Sequence, residues 1–290
     1  MTRIADLLAK GQTFSFEFFP PKTDAEHDTL VATLRDLEPL APSFVSVTYR
    51  GGAESRRRTV DLVTGMLQAT SLVPMAHLIC VAHTRLELAD ILVELRKHGI
   101  ENLMALGGDP PADPEEGPGE LVHAVELVEL ARAIGGFSIG VAAQPAGHPL
   151  STDLASDRDH LADKLALADF AVTQFFFEAS EYTSLVADLA DRDVTKPVLP
   201  GIMPVTSLTS VPRMAAMGAA VPPWMVERLE AADARGGAAA VRDEGVACAT
   251  ELCRELLEAG VPGLHFYTLN RSNATREIYA ALGLGPPSAD

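Results

Sequence analysis

The sequence is poor in cations, cysteine and tryptophan. Its 290 residues hold 23 Lys and Arg against 40 Asp and Glu, a formal net charge of −17. So acidic a chain argues against nucleic acid and anionic membranes as partners, because both are bound through a positive field. Three cysteines cannot build a disulfide framework, and no His or Cys pair beside them has zinc spacing. We therefore expect free thiols, no metal and a reducing, cytoplasmic compartment.

Long apolar runs and targeting signals are also lacking. Charge or proline breaks each apolar stretch well short of the ~18 residues that a membrane span needs. The opening residues, MTRIADLLAKG, contain no apolar core of a secretory signal. No G-x-G-x-x-G motif follows the first strand-like run, which weakens a dinucleotide-binding open sheet. With 47% apolar and 22% charged residues, the composition is that of a folded globular protein.

Short apolar runs alternate with longer amphipathic stretches along the chain. Eight runs have strand character, and a helix-like stretch follows each one. The longest helical stretch, 207–260, must be several helices, because Pro222-Pro223 and Gly236-Gly237 interrupt it. This pattern predicts an α/β fold, a single catalytic (β/α)8 TIM barrel over residues 1–290 with extra helices before the last strand. A doubly wound open sheet is the alternative. The predicted strands are 14–19, 44–49, 76–81, 102–106, 138–143, 171–177, 198–205 and 265–269.

Polar residues recur where the predicted strands end. In a barrel of this type, catalytic groups come from the carboxyl ends of the strands and from the loops beyond them. Nearly every strand contributes one, which is more than a purely structural barrel needs. These residues are Glu17, Thr48, Tyr49, His77, Asp109, Gln144, His148, Gln174, Asn270 and Arg271.

Two of these residues stand inside apolar strands. Alternation places Ser15 and Glu17 on one face of the first strand and three phenylalanines on the other. Desolvation there should raise the pKa of Glu17, which suits a general acid; a buried Glu paired with a cation is the alternative. The Gln174 amide offers a donor and an acceptor to the edge of a heterocycle. Its alternative is a hydrogen bond to a neighbouring strand or helix.

Six motifs in this order, each on a predicted strand, resemble those of the methylenetetrahydrofolate reductases. The resemblance runs almost end to end. The motifs are Phe14-Ser-Phe-Glu-Phe-Phe-Pro-Pro21, Phe44-Val-Ser-Val-Thr-Tyr49, Ala105-Leu-Gly-Gly-Asp109, Thr173-Gln-Phe-Phe-Phe177, Pro200-Gly-Ile-Met-Pro204 and His265-Phe-Tyr-Thr-Leu-Asn-Arg271.

The resemblance implies a barrel that reduces 5,10-methylenetetrahydrofolate to 5-methyltetrahydrofolate with electrons from NAD(P)H. It implies that Glu17 donates the proton that opens the imidazolidine ring, and that Asp109 stabilises the resulting iminium charge. Gln174 matches the amide at the pterin edge, and Arg271 matches a substrate-binding position suited to a glutamyl carboxylate. The cofactor pocket would be lined by Thr48, His77, Gly108, His148 and Lys164.

Most of the family carries electrons through bound FAD, but this chain departs from the family pattern at the expected flavin contacts. Gly107 stands where an Arg is usual, Gln144 where an aromatic residue is usual, and Asp163 where a basic residue is usual. Each charge-assisted contact is worth roughly 1.5–3 kcal/mol, so these losses could weaken flavin binding by several powers of ten. We therefore expect a member of the flavin-free actinobacterial branch, in which NADH passes hydride directly to the iminium.

Three alternatives stay open beside this hypothesis. FAD could still bind in a ping-pong reductase if Arg50 or the run 56–58 supplies cations, although that run also fits a solvated helix face. NADPH could replace NADH. A folate-binding barrel without catalysis is the remote third reading, against which Glu17, Asp109 and Gln174 together argue. The sequence leaves the oligomeric state open.

Overall fold

Eight parallel strands close into a barrel in chain order. The structure, a computed structural model, describes residues 2–49, 53–109, 117–271 and 273–285, with the side chains of 53–56 left aside. Each strand pairs with the next, and β8 closes on β1 through pairs such as Ser15 with His265. The predicted (β/α)8 barrel is confirmed, and the open sheet is wrong. The strands are β1 Thr13–Phe18, β2 Phe44–Val47, β3 Pro74–Ile79, β4 Asn102–Leu106, β5 Ser138–Ala143, β6 Phe170–Phe175, β7 Val198–Ile202 and β8 Gly263–Tyr267.

Helices alternate with the strands and surround the barrel. The predicted break inside 207–260 is confirmed, because a 3₁₀ turn at Leu208–Ser210 and α8 precede α9, and Gly236 and Gly237 leave helical geometry within α9. The helices are α1 Ile4–Leu8, α2 Asp24–Leu37, α3 Ala53–Ala69, α4 Arg85–Lys97, α5 Ala124–Ile134, α6 Leu154–Leu167, α7 Ala179–Ala190, α8 Val211–Ala216, α9 Pro223–Glu258 and α10 Asn273–Leu282.

Local capping signals explain where helices begin. Thr84 forms a full capping box before α4, in which its hydroxyl accepts from the Glu87 N–H and the Glu87 carboxylate accepts from the Thr84 N–H at 2.8 Å. Before α2 the box is half formed. The Thr23 hydroxyl accepts from the Glu26 N–H, but the Glu26 carboxylate accepts from the Lys22 N–H instead. Both arrangements satisfy backbone donors that a helix start leaves free.

Because side chains alternate along each strand, the protein has one apolar core between the barrel and the helices and another inside the barrel. Outward-facing residues such as Phe16 and Phe18 are fully buried against the helices, and Phe16 packs on Tyr279 of α10 at 5.3 Å between ring centroids. The lower end of the barrel is the end at which the strands begin. Its interior is filled by apolar side chains that form one cluster: Ile4, Phe44, Met75, Met104, Phe170, Val172 and Leu199. Above that cluster the inward positions become polar, which places the chemistry at the carboxyl ends of the strands.

A short helix that the sequence analysis missed contributes to the lower end of the barrel. Ile4, the first residue of α1, is fully buried in the interior cluster, and its N–H donates to Oδ1 of Asn102 at 2.8 Å. The Ala5 N–H donates to the Ser138 hydroxyl at 3.0 Å, so β4 and β5 both hold the helix. Five residues are too few for a periodic signal. The helix therefore buries the amino-terminal segment against the lower interior of the barrel.

The three cysteines are buried and free, as predicted. Burial raises the pKa of the Cys80 thiol to about 12 and that of Cys248 to about 11, so both are un-ionised at neutral pH. Across the described ranges, no helix has the length and apolarity that crossing a membrane requires.

The burial of Ile4 generates a stability prediction. Replacing Ile4 with Ala should lower the free energy of unfolding by about 2–5 kcal/mol, because the side chain fills space in the barrel interior. Lys10→Ala, at an exposed position just beyond the same helix, should change it by less than about 0.5 kcal/mol. The midpoints of urea unfolding, followed by circular dichroism, compare the two. Equal midpoints would show that α1 does not support the barrel.

Candidate active site

Glu17 lies on the inner face of β1, near its carboxyl end, with 9% of its side chain exposed. Three side chains from neighbouring strands surround one of its carboxylate oxygens, Oε2. The Ser46 hydroxyl of β2 donates to Oε2 at 3.2 Å, and Nε2 of His265 on β8 lies 3.4 Å from the same atom. Nε2 of His77 on β3 also lies 3.4 Å from Oε2. The sequence therefore folds so that one carboxylate meets two imidazoles.

The second carboxylate oxygen of Glu17 is in a different situation. Among the residues that the structure describes, none donates a hydrogen bond to Oε1. A carboxyl group with one oxygen held by the protein and one oxygen unengaged presents the second oxygen to a ligand most readily. Oε1 is therefore the atom of this site that is able to serve a ligand.

The expected rise in the pKa of Glu17 is wrong. Burial raises the pKa of this carboxyl, but the charge interaction with His77, the contacts with His265 and the hydrogen bond from Ser46 lower it. The net direction is downward from the ordinary value. The sequence showed the aromatic surroundings of β1, but the two imidazoles come from strands distant along the chain.

Two buried polar atoms beside Glu17 have no hydrogen-bond partner within the described residues. They are Nε2 of His77, whose contact with Oε2 lacks hydrogen-bond geometry, and Oγ1 of Thr48 at the end of β2. Burial lowers the pKa of His77 more than Glu17 raises it, so the net direction is downward from the ordinary value. A buried polar atom left unpaired costs about 1–3 kcal/mol. Both atoms fit a site whose ligand completes their hydrogen bonds, as a nicotinamide or flavin would.

Sequence reasoning missed His265 and Tyr267 as site residues. His265 is fully buried and stacks on Phe44. Its Nδ1 forms a hydrogen bond of 2.7 Å with the Ser15 hydroxyl. Both residues lay within a quoted motif, and alternation along β8 places them on the inner face with Gly263. The signal was therefore present, as polar side chains at every second position of a short strand.

Tyr267 lies across the upper rim between β8 and β6. Its hydroxyl donates to the Thr173 carbonyl at 2.7 Å, and burial, with a smaller contribution from Glu17, raises its pKa well above the ordinary value. The ring passes over Gly201 of β7, where an added Cβ would come within 2.6 Å of Tyr267 Cε2 and would clash with the Thr173 carbonyl. Gly201 therefore makes room for the ring.

Gln174, Asp109 and Gly108 lie at the same end of the barrel. The Gln174 amide donates to the Met217 carbonyl at 3.0 Å, and its oxygen accepts from the Phe175 N–H, so the protein holds this side chain. Asp109 is exposed. Gly108 has a φ of 91°, and an added Cβ would lie 3.1 Å from Cβ of Ile79, so only glycine fits there.

His148 and Arg271 are exposed, whereas Lys164 is partly buried. His148 is exposed, and its backbone N–H donates to Asp157 at 2.9 Å. The Lys164 ammonium donates to the Ala142 carbonyl at 2.7 Å, and burial lowers its pKa. Arg271 is exposed directly after β8.

The structure brings Glu17 and His77 into contact and places Thr48 at the end of the neighbouring strand. It does not join the other predicted site residues to them by any hydrogen bond or ion pair that the described residues make. Arg50 and the side chain of Arg56 lie outside the described residues. In the same described ranges, no three His, Cys, Asp or Glu side chains group as they would around a metal ion.

Known proteins resemble this chain over nearly its whole length. The sequence profile of the family described as methylenetetrahydrofolate reductase matches residues 1–283. A 5,10-methylenetetrahydrofolate reductase of Pectobacterium carotovorum is 34% identical over 95% of this chain and 91% of its own. The Salmonella typhimurium protein of the same name is 35% identical over 94% and 91%.

A solved structure shares the fold. It is an uncharacterized protein from Clostridium thermocellum that binds two copies of 5-methyl-5,6,7,8-tetrahydrofolic acid, with a TM-score of 0.66 over 95% of this chain and 96% of that chain. At 11% sequence identity, this likeness speaks for the barrel alone. The profile match and the bacterial relatives show that this chain belongs to the methylenetetrahydrofolate reductase family of oxidoreductases.

Proposed function

We propose that this protein reduces 5,10-methylenetetrahydrofolate to 5-methyltetrahydrofolate with hydride taken directly from NADH in a ternary complex, without a bound flavin. The observation that carries the reductase assignment is the buried Glu17 carboxyl, whose Oε2 is engaged by the protein and whose Oε1 is not. The commitment of Arg158 and Lys164 to groups of the protein itself supports the absence of a bound flavin.

Glu17 is suited to protonate N10 of the substrate. When Oε1 delivers its proton to N10, the bond between N10 and the bridging methylene breaks and leaves an iminium at N5. Hydride from the nicotinamide then converts the methylene into a methyl group, and NADH leaves as NAD⁺. One proton and one hydride are consumed, so the reaction balances. General acid catalysis of this kind is worth about 10²–10⁴-fold.

The other predicted residues divide between the two ligands in this proposal. Asp109 places a negative charge where the iminium develops and so lowers its energy. Gln174 presents its amide at the pterin edge, and the exposed Arg271 guanidinium can pair with a carboxylate of a glutamylated folate. Thr48 and His77 offer unpaired buried atoms to the nicotinamide. Gly108, His148 and Lys164 are the other proposed cofactor-binding residues.

The cations nearest the β5–α6 loop are already committed. Arg158 is buried and pairs with Asp157 at 2.8 Å and with Asp188 at 3.1 Å, while it also donates to two backbone carbonyls. Lys164 donates to the Ala142 carbonyl. A flavin that stays bound through the whole reaction needs free donors for the two negative charges of its pyrophosphate. NADH carries the same two charges but binds only transiently as a co-substrate, so this arrangement favours a reductase without a bound flavin.

Glu17→Gln tests the proposed acid. The variant should lose about 10²–10⁴-fold in kcat for anaerobic NADH oxidation driven by methylenetetrahydrofolate, because Gln cannot supply the proton. Glu94→Gln removes an equally charged but exposed group from α4 and should retain wild-type activity. Equal rates for wild type and Glu17→Gln would contradict the assignment. Binding of methylenetetrahydrofolate without any NADH oxidation would support a non-catalytic folate-binding barrel.

The missing flavin contact can be restored at Gly107. Its φ is not positive, and among the described residues an added Cβ would meet the Val122 carbonyl alone, at 3.9 Å, so a side chain can be added there. Gly107→Arg should bind FAD about tenfold to a hundredfold more tightly than wild type, since one charge-assisted contact returns. Gly107→Gln, with a similar reach and no charge, is the control. A stoichiometric flavin spectrum at 450 nm in freshly purified, untagged wild-type protein would contradict the proposal.

The low pKa of Glu17 predicts proton uptake on folate binding. Because the ligand-free carboxyl is ionised above its lowered pKa, it must gain a proton when N10 of methylenetetrahydrofolate approaches Oε1. Calorimetry in two buffers of different ionisation enthalpy should therefore detect uptake at neutral pH with wild type. The same titration with Glu17→Gln should show none, and equal uptake by both proteins would exclude Glu17 as its source.

A further inference from the structure

His265 bridges Ser15 and Glu17 inside the barrel. Its Nδ1 lies 2.7 Å from the Ser15 hydroxyl oxygen, and its Nε2 lies 3.4 Å from Oε2 of Glu17. The ring is fully buried, stacks on Phe44 at 6.0 Å between centroids, and meets the Tyr267 ring edge-on at 5.3 Å. Packing on two sides therefore holds the imidazole in one orientation.

We propose that Ser15 and His265 are positioning residues that keep Oε2 of Glu17 occupied, so that the proton used in catalysis resides on Oε1. This inference rests on the proposed role of Glu17 as the acid. It assigns functions to two buried residues, neither of which needs to touch either ligand.

The hydrogen-bond partners select one tautomer of His265. An ionised carboxylate can only accept, so Nε2 of His265 must carry the hydrogen that faces Oε2. Nδ1 is then an acceptor, and the Ser15 hydroxyl donates to it. The competing acceptor for Ser15 is the Leu264 carbonyl at 3.5 Å, which is much more distant than Nδ1. The Glu17 carboxylate and the Ser15 hydroxyl therefore both favour this tautomer, and Ser15 supplies the donor that keeps Nδ1 unprotonated.

Two hydrogen-bond donors on Oε2 of Glu17 favour protonation of Oε1. Ser46 and His265 both present hydrogens to Oε2, so a proton placed there would face an O–H and an N–H. Oε1 meets no such donor among the described residues. Reversal of the His265 tautomer would instead turn a lone pair toward Oε2 and draw the acidic proton to the wrong oxygen.

Among the described residues, the titratable groups that face Glu17 come from two elements. His77 approaches from β3, and His265 and Tyr267 approach from β8, while β2 contributes the uncharged Ser46. His265 lowers the pKa of Glu17. If Nε2 loses its hydrogen, the carboxylate loses that support and its pKa rises. The acid then stays protonated to a higher pH, so the pH above which reduction slows should move upward.

Nitrogen-15 NMR of the full chain, labelled in its histidine rings, tests the tautomer without reference to activity. The His265 signals, identified by their absence from His265→Asn, should show a protonated Nε2 and an unprotonated Nδ1. Ser15→Ala should shift them toward the other tautomer, and Ser15→Thr, which keeps the hydroxyl, should not. A wild-type ring protonated on Nδ1 would overturn the inference even if the protein is an active reductase.

Steady-state kinetics test the inference a second time, independently of the NMR measurement. Ser15→Ala should lower kcat about three- to tenfold with little change in KM for the folate, and should move the alkaline limb of the pH profile upward. Ser15→Thr should restore the wild-type limb. Superimposable pH profiles for wild type and Ser15→Ala would contradict positioning. If Glu17→Gln is as active as wild type, the proposed function fails, and the tautomer measurement still stands on its own.

Discussion

The burial of one carboxylate at the upper end of a closed barrel constrains the rest of the site. Glu17 cannot be solvated by water on all sides, so the protein surrounds Oε2 with a hydroxyl and two imidazoles from three other strands. That arrangement is possible because the barrel brings β1, β2 and β8 side by side and β3 close to them. It also leaves one oxygen for the ligand. The protein therefore stabilises one oxygen of Glu17 and leaves the other available for reaction.

Along the barrel axis, the apolar side chains that stabilise the fold and the polar side chains of the site occupy different levels. Apolar side chains fill the lower interior, and Ile4 of α1 joins them from the lower end. Polar side chains occupy the upper interior, where Tyr267 crosses above Gly201 to reach β6. Asp109, Gln174 and Arg271 lie at this same end of the barrel, beyond the carboxyl ends of the strands or close to them.

Much of this organisation could be predicted from the sequence, because it follows from periodicity. Alternating runs indicated the barrel, and alternation within β1 placed Glu17 on its inner face. The pKa of Glu17 was predicted in the wrong direction, since local sequence shows burial but not the two imidazoles that strand pairing brings to it. Alternation along β8 places His265 on the inner face, but the sequence does not show its contacts with β1, on which its importance depends. Helix α1 was too short for any pattern to reveal.

The scarcity of cations ties the composition to the proposed chemistry. Arg158 and Lys164 are engaged by the protein itself, which disfavours the permanent binding of a doubly charged flavin more than the transient binding of NADH as a co-substrate. The most direct measurement follows the hydride. NADH stereospecifically deuterated at C4 is consumed anaerobically with methylenetetrahydrofolate, and the methyl group of the product is analysed by mass spectrometry. Direct transfer predicts full retention of deuterium from the reactive face of NADH, and loss of the label to solvent would contradict it.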